Sequence, residues 1–122
     1  MTWEYLAGFF DGEGTTGIYA HNTAHYQPRW GITQSETRGL ALLEEIEEFL
    51  QTQNIKICPI YKRQSLNPRH AVSYLMQTNN RVSVQRILRG LLPYLRIKRE
   101  EAEYVLNYIE LHPDARRKEF KA

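Results

Sequence analysis

The sequence has little of several residue types and patterns, and each shortage excludes a class of protein. A single cysteine, Cys58, rules out an internal disulfide and any metal cluster held by cysteines alone. The four histidines lack the spacing of zinc ligands, so we expect no zinc site. No apolar stretch approaches membrane-spanning length, and no basic region precedes the short apolar run near Met1. We therefore expect an intracellular chain with no membrane partner and with Cys58 in the core.

Net charge is also small, since 16 Lys and Arg against 14 Asp and Glu give +2. A strongly basic domain is thereby excluded, although the charges are segregated along the chain. Acids concentrate in residues 44–50 and 98–104, whereas residues 61–70 and 78–90 carry basic side chains without an acid. This segregation allows one basic face on a nearly neutral protein.

The chain does have an ordinary globular composition, with 42% apolar and 25% charged residues over a length of 122. These values predict a single domain over residues 1–122. The basic segment 115–122 is interpreted as a tail that either touches a phosphate backbone or is disordered.

The first half of the chain is typical of a helix, a hairpin and a second helix. Apolar residues at helical spacing predict a first helix over residues 2–12. Residues 14–20 and 26–35 alternate in polarity on either side of the turn signal HNTAH, which predicts two paired strands. Thr37 is the predicted N-cap of a second helix.

The second half repeats that order. Residues 55–61 are rich in β-branched side chains and residues 71–78 alternate in polarity, so a second hairpin is predicted. Asn79 or Asn80 caps a third predicted helix, and helical spacing continues over residues 94–111. The order αββαββα(α) indicates an α+β fold, with a four-stranded antiparallel sheet and helices on one face.

The other face of that sheet is predicted to carry hydrogen-bonding and aromatic side chains. The candidates are Thr15, Gly17, Tyr19, His21, Gln27, Arg29, Tyr61, Arg63, Ser73 and Gln77, with Arg69 in the adjoining loop. One interpretation is an antiparallel sheet with one solvated face, which is common. The other is a β-surface that binds DNA in the major groove, for which these residues are the DNA-binding candidates.

The stretch YLAGFFDGEG, residues 5–14, crowds three glycines and two acids into the end of the first helix. Gly8 and Gly12 share the side opposite the apolar stripe, and glycine inside a helix costs about 1 kcal/mol relative to alanine. Close packing of a second helix would compensate the cost of both glycines. A simple helix stop explains Gly12 but leaves Gly8 unexplained. The predicted interface residues are Tyr5, Gly8, Asp11 and Gly12.

Two copies packed through this helix face would bring their Asp11 and Glu13 carboxylates together. A divalent cation would relieve the resulting repulsion. A small number of oxygen ligands suits Mg²⁺, which also binds phosphate oxygens. A metal in this position beside nucleic acid indicates phosphodiester hydrolysis.

The segment LAGFFDGEG, residues 6–14, resembles the signature of the LAGLIDADG homing endonucleases. It matches at Leu6, Ala7, Gly8, Asp11 and Gly14, and Glu13 replaces the usual last aspartate. TQSETR, residues 33–38, resembles the family's segment at the end of the second strand. LPYLRIKREEAEYVL, residues 92–106, resembles the late segment that carries a lysine. The inferred element order is also the family's.

This resemblance implies site-specific cleavage of double-stranded DNA, associated with intron or intein homing. It implies that Glu13 and the Gly12 carbonyl bind Mg²⁺ or Mn²⁺ and that Gln34 orients solvent. Arg38 and Lys98 would stabilise charge on the phosphate. The single signature copy implies a homodimer that acts on a palindromic or near-palindromic site and leaves short 3′ extensions.

Two other functions stay open from the sequence. One keeps the fold without the chemistry, as a catalytically inactive RNA maturase or a DNA-binding protein. The other is an α+β interaction module whose glycine face binds a protein helix, without metal or DNA. Single residues also have ordinary explanations, since Asp11 could close the helix end and Lys98 could pair along the fourth helix.

Overall fold

The computed structural model describes residues 1–20, 26–64 and 72–112, so the segment 115–122 lies outside the described residues. In chain order the elements are α1 (Trp3–Glu13), β1 (Gly14–Ala20), β2 (Tyr26–Ser35), α2 (Glu36–Thr52), β3 (Tyr61–Arg63), β4 (Ser73–Thr78), α3 (Arg81–Leu91), a 3-10 turn (Leu92–Tyr94) and α4 (Arg99–Leu111). The predicted αββαββα(α) order and α+β class are confirmed. In the ranges described, no helix has the length and apolar character that crossing a membrane requires.

The four strands form one antiparallel sheet in the order β1, β2, β4, β3. β1 and β2 pair from Gly14 opposite Ile32 to Ala20 opposite Tyr26. On its other side β2 pairs with β4, where Met76 lies opposite Ile32. The long strand β2 therefore joins the two hairpins, and β3 pairs with β4 at the outer edge.

The helices cover the face that carries the even-numbered residues of β2 and β4. Trp30, Ile32 and Met76 are at most 1% exposed, and they join buried residues of all four helices in one core. Phe10 of α1 stacks on Trp30, with ring centroids 5.5 Å apart and planes 11° apart. This stacking fixes the end of α1 against the central strand.

One of the predicted helix caps is confirmed and one is wrong. The side chain of Asn80 caps α3 by accepting a hydrogen bond from the backbone N–H of Ser83 at 3.0 Å. Thr37 does not cap α2, because that helix begins at Glu36, directly after Ser35. Glu36 adopts a left-handed backbone with φ of 64°, and this sharp turn joins β2 to α2 without a linker.

The third strand begins later than predicted, since β3 spans Tyr61–Arg63 and shares only Tyr61 with the predicted range 55–61. Within residues 55–60, Cys58 donates its backbone N–H to the carbonyl of Gln77 at 3.1 Å, but Pro59 has no N–H to continue a ladder. Ile55 is only 3% exposed, so the apolar residues here reflect core packing of a connecting segment. Cys58 is exposed, and its predicted place in the core is wrong.

The fourth helix begins later than predicted, at Arg99. Leu95 has extended backbone with ψ of 143° and is only 3% exposed. Its side chain is buried in the core although its backbone is not helical. Helical spacing of apolar residues therefore placed the start of α4 too early. Residues 95–98 instead form a loop that contacts the end of α1.

Candidate functional site

The side of the sheet away from the helices carries the residues that the alternation of side chains along the strands predicts. Cross-strand pairing places all the predicted residues within the described ranges on one side: Thr15, Gly17, Tyr19, Gln27, Arg29, Tyr61, Arg63, Ser73 and Gln77. Gly31, Thr33, Ser35 and Leu75, which were not predicted, share that side. These thirteen positions, here called the polar face, include two arginines and no acid. His21 and Arg69 lie outside the described residues.

Glu13 and Gln34 meet where α1 and β2 end. Glu13 is the last residue of α1, and its carboxylate is exposed. The Nε2 of Gln34 donates to Oε2 of Glu13 at 3.4 Å and to the carbonyl of Thr33 at 2.9 Å. The two predicted catalytic side chains are therefore brought together from positions 21 residues apart.

Gly39 of α2 packs directly against Gln34. A Cβ placed on Gly39 would stand 2.6 Å from the Cβ of Gln34, which is closer than two carbon atoms can approach. The atom that blocks this space is next to the backbone, so a rotation of the Gln34 side chain would not clear it. The absence of a side chain at Gly39 thus allows Gln34 to take its position. The sequence analysis missed this role, because no pattern near residue 39 indicates the contact.

Lys98 lies in the loop before α4 and reaches the C-terminal end of α1. Its Nζ donates to the carbonyls of Phe10 at 3.2 Å and of Asp11 at 3.0 Å. The last carbonyls of a helix have no partner within the helix and carry its negative dipole end, so the ammonium is held there electrostatically. The alternative that Lys98 pairs along α4 is wrong, because its ammonium group donates to carbonyls of α1.

Asp11 of α1 binds the same loop, but here the helix supplies the acceptor and the loop supplies the donors. Its Oδ2 accepts from the backbone N–H of Arg96 at 2.9 Å, and its Oδ1 accepts from those of Ile97 and Lys98, both at 3.0 Å. Burial raises the pKa of Asp11, but the three N–H donors and the Lys98 charge outweigh it, and the net pKa lies below the ordinary value. The predicted interface role of Asp11 did not include these contacts.

Arg38 lies in the first turn of α2, four residues after Gln34 in the chain, and its side chain is exposed. Within the described ranges, no hydrogen bond or ion pair joins Arg38 to Glu13, Gln34 or Lys98. The structure thus brings three of the four predicted catalytic side chains to the end of α1, and Arg38 extends into solvent.

The oxygen donors at the end of α1 are few. In the described part of the chain, no three side chains of His, Cys, Asp or Glu are grouped so as to hold a metal ion. One exposed carboxylate, on Glu13, stands beside the Gly12 backbone. This donor set suits only an ion that takes its other ligands from water, phosphate or a second protein copy.

The glycine side of α1 is open. A Cβ placed on Gly8 or on Gly12 would find no atom of the described residues within 4 Å. Tyr5 on the same helix is 54% exposed. A second helix could therefore approach the bare backbone of α1 without displacing anything from the chain.

The sequence model of the LAGLIDADG endonucleases matches residues 6–110. The chain belongs to the LAGLIDADG endonuclease family. The match includes α1 from Leu6 onwards, the whole sheet and nearly all of α4, so it confirms the resemblance carried by the LAGFFDGEG segment.

Solved structures of LAGLIDADG enzymes share the fold. The homing endonuclease I-CvuI in complex with its target, in the presence of 2 mM Ca, superposes with a TM-score of 0.68 at 25% identity, covering 93% of this chain and 69% of that chain. I-CvuI in complex with the I-CreI target, with 2 mM Mg and the DNA not cleaved, gives 0.65 at 28% identity over 92% and 68%. The LAGLIDADG meganuclease I-AabMI bound to uncleaved DNA gives 0.65 at 20% identity over 98% and 41%.

A comparison of the sequence with curated proteins gives no match. The family assignment therefore rests on the family model and the structural likeness together. What this LAGLIDADG chain cleaves or binds must be argued from its own residues.

Proposed function

We propose that this chain is an active site-specific endonuclease that cleaves double-stranded DNA with a divalent metal. It acts as a homodimer on a palindromic or near-palindromic site and leaves short 3′ extensions, in association with intron or intein homing. The observation that carries the proposal is the convergence of Glu13, Gln34 and Lys98 at the end of α1. Those three side chains supply a metal-binding oxygen, a solvent-orienting amide and a cation.

Glu13, with the Gly12 carbonyl, holds Mg²⁺ or Mn²⁺ in this proposal. The exposed carboxylate fits such an ion, because Mg²⁺ keeps several waters and takes phosphate oxygens as ligands. When bound, the ion supplies charge stabilisation at the scissile phosphate. The contact with Gln34 orients the Glu13 carboxylate before DNA binds, and the same amide orients solvent beside the phosphate.

Lys98 stabilises the charge that develops on the phosphate. A primary ammonium has three N–H donors, and the carbonyls of Phe10 and Asp11 take two of them. A phosphate oxygen can accept from the third. Fixed in this way, the charge needs little reorganisation during the reaction. Arg38, exposed on α2, adds a second cation when DNA is bound.

Pairing of two copies through the glycine side of α1 supports the homodimer. It would place the helix ends, each with its Glu13, side by side at the centre of the assembly. A two-fold axis there gives each DNA strand one acid and gives the target its near-palindromic form. The two polar faces would then extend outward along the DNA.

The polar face supports DNA as the substrate. Its two arginines are not neutralised by an acid on any of its thirteen positions, and it also offers hydroxyl, amide and aromatic groups. An antiparallel sheet of this kind can enter a major groove, where each base pair presents a distinct set of donors and acceptors. I-CvuI, which shares the fold, is in complex with its target in one structure and with the I-CreI target, as DNA not cleaved, in another.

The proposal is tested by incubating the protein with a supercoiled plasmid library of randomised sites, with Mg²⁺ or with chelator, and by sequencing the ends produced. Glu13→Gln keeps the shape of the side chain and removes its charge. Glu44→Gln removes an exposed acid from α2 and serves as the matched control. We expect Mg²⁺-dependent ends at one near-palindromic site for wild type and Glu44→Gln, and none for Glu13→Gln.

Two results would contradict the proposal. If Glu13→Gln cleaves at the wild-type rate, Glu13 does not bind the metal that cleavage requires. No cleavage by any of the three proteins, with selective retention of one DNA or RNA sequence, would show a binding protein or an RNA maturase of the same fold.

A further inference from the structure

One arginine of the polar face lies over an aromatic ring. The Cζ of Arg29 lies 4.7 Å from the centroid of the Tyr19 ring. Both side chains belong to the first hairpin, where Arg29 pairs with Gly17 and Tyr19 pairs with Gln27. Tyr19 is 38% exposed and Arg29 is partly buried. The guanidinium therefore rests on an aromatic surface instead of extending freely into solvent.

The residues on either side keep this stack in place. A Cβ on Gly17 would stand 3.1 to 3.2 Å from three atoms of the Tyr19 side chain, so the ring lies back along its strand over the space that glycine leaves. From the other face of the sheet, the Thr16 hydroxyl donates to the carbonyl of Arg29 at 2.7 Å. The Tyr19 ring thus covers Gly17, and a side-chain hydrogen bond holds the backbone of Arg29.

A stacked guanidinium keeps its hydrogen-bonding edge available. Stacking uses the flat face of the group, while its N–H donors lie in the plane and point outward as a fork. Guanine presents two acceptors, O6 and N7, in the major groove, and a bidentate arginine is the commonest contact that distinguishes it from other bases. A fork already oriented loses less side-chain freedom when it binds.

We propose that Gly17, Tyr19 and Arg29 form a base-reading unit in which Tyr19 orients Arg29 toward one guanine in each half-site of the target. The inference rests on the proposed function, because it requires that the polar face bind DNA in the major groove. Arg29 contacts the base, and Tyr19 is a positioning residue that acts through Arg29.

Binding selections from a randomised duplex DNA library test this unit, with chelator present so that the DNA stays intact. The proteins are wild type, Arg29→Lys, Tyr19→Leu and Tyr19→Phe. Tyr26→Leu is the control, since Tyr26 is an exposed tyrosine of the same strand as Arg29 that lies on the other side of the sheet. Arg29→Lys keeps the charge and removes the fork.

We expect wild type to select guanine at one position of each half-site. Arg29→Lys lowers that preference roughly tenfold or more, and Tyr19→Leu lowers it about two- to fivefold. Both variants affect the same position and leave other positions unchanged. Tyr19→Phe retains the ring and the preference, and Tyr26→Leu also retains it.

Three results would overturn the inference. If Arg29→Lys changes no base preference, Arg29 does not read a base. If Tyr19→Leu leaves the guanine preference intact while Arg29→Lys removes it, the stack does not position the arginine. In both cases the proposed function stands, because wild type still selects a site. If wild type selects no sequence at all, the inference and the proposed function fail together.

Discussion

At the scale of single residues, the two acids of the LAGFFDGEG segment have different environments. Glu13 is exposed and meets a side-chain amide, whereas Asp11 accepts three backbone N–H groups from a distant loop. The carboxylate oxygens of Glu13 are therefore available to bind a metal, whereas those of Asp11 are occupied by backbone hydrogen bonds. The signature therefore combines one acid suited to chemistry with one that holds structure.

Asp11→Asn should destabilise the chain by about 1–3 kcal/mol at pH 7, because an amide replaces one of the two accepting oxygens and the charge is lost. The pKa of Asp11 is lower in the folded chain than its ordinary 3.8. Its contribution is therefore fully present above pH 3.8 and disappears as pH falls through the lower folded-state pKa. Urea unfolding at fixed protein concentration should show the stabilities of wild type and variant converging in acid. A difference that stays constant with pH would contradict this assignment.

Lys98→Met should lower the cleavage rate roughly 100-fold or more, because in the proposed function Lys98 places a fixed positive charge beside the phosphate. It should also destabilise the fold by about 0.5–2 kcal/mol, because the carbonyls at the end of α1 lose their cation. Lys98→Arg keeps the charge and should retain most of the stability. Plasmid cleavage and thermal unfolding, measured on the same preparations, separate the two effects; a full cleavage rate for Lys98→Met would rule out the catalytic role.

At the scale of elements, contacts between neighbouring segments orient the side chains of the site. The loop of residues 95–98 and the end of α1 bind each other twice, through Asp11 and through Lys98. The junction of β2 and α2 is equally tight, with Gly39 against Gln34. The positions of Glu13, Gln34 and Lys98 are thus each set by contacts with an element other than the one that carries the residue.

Gly39→Ala should destabilise the chain by about 1–3 kcal/mol, although alanine is the better helix former. The new methyl group would push Gln34 away from Glu13, so cleavage should fall roughly tenfold. The double variant Gly39→Ala with Gln34→Gly removes the clash and should regain stability without regaining cleavage. Urea unfolding and plasmid cleavage check both parts. An unchanged stability for Gly39→Ala would show that the contact is not tight in solution.

At the scale of the whole molecule, one side of α1 packs into the core and the other is bare. Leu6, Ala7 and Phe10 are fully buried, whereas Gly8 and Gly12 face open space. Glycine on an open helix face has no use within a single chain and lowers helix stability. The arrangement is explained if a second copy covers that face.

Gly8→Leu should therefore leave the single chain folded and prevent its dimerisation. Nothing within the described chain obstructs the new side chain, but a partner helix could no longer approach. Sedimentation should show a monomer where wild type is a dimer, and cleavage should be lost. Ala41→Leu, at an exposed position of α2, is the control and should stay dimeric. A Gly8→Leu dimer with full activity would exclude pairing through this face.

The amino-acid sequence determined those features that depend on local period and composition. Strand alternation fixed which side of the sheet Tyr19, Arg29 and Gln77 occupy, because side chains alternate strictly along a strand. Helical spacing indicated the four helices, apart from the start of α4, and the glycine pattern of α1 indicated its open side. These features follow from backbone geometry within a few residues, so they could be predicted without knowledge of the rest of the chain.

Only the tertiary structure decided the contacts that complete the site. Asp11 meets backbone groups 85 to 87 residues away, and no local pattern indicates which loop will reach it. Burial of Leu95 moved the start of α4. Pro59 and the packing of Ile55 moved the start of the third strand to Tyr61. The physical reason is the same in each case: burial and hydrogen bonding to distant groups outweigh the local preference of the chain.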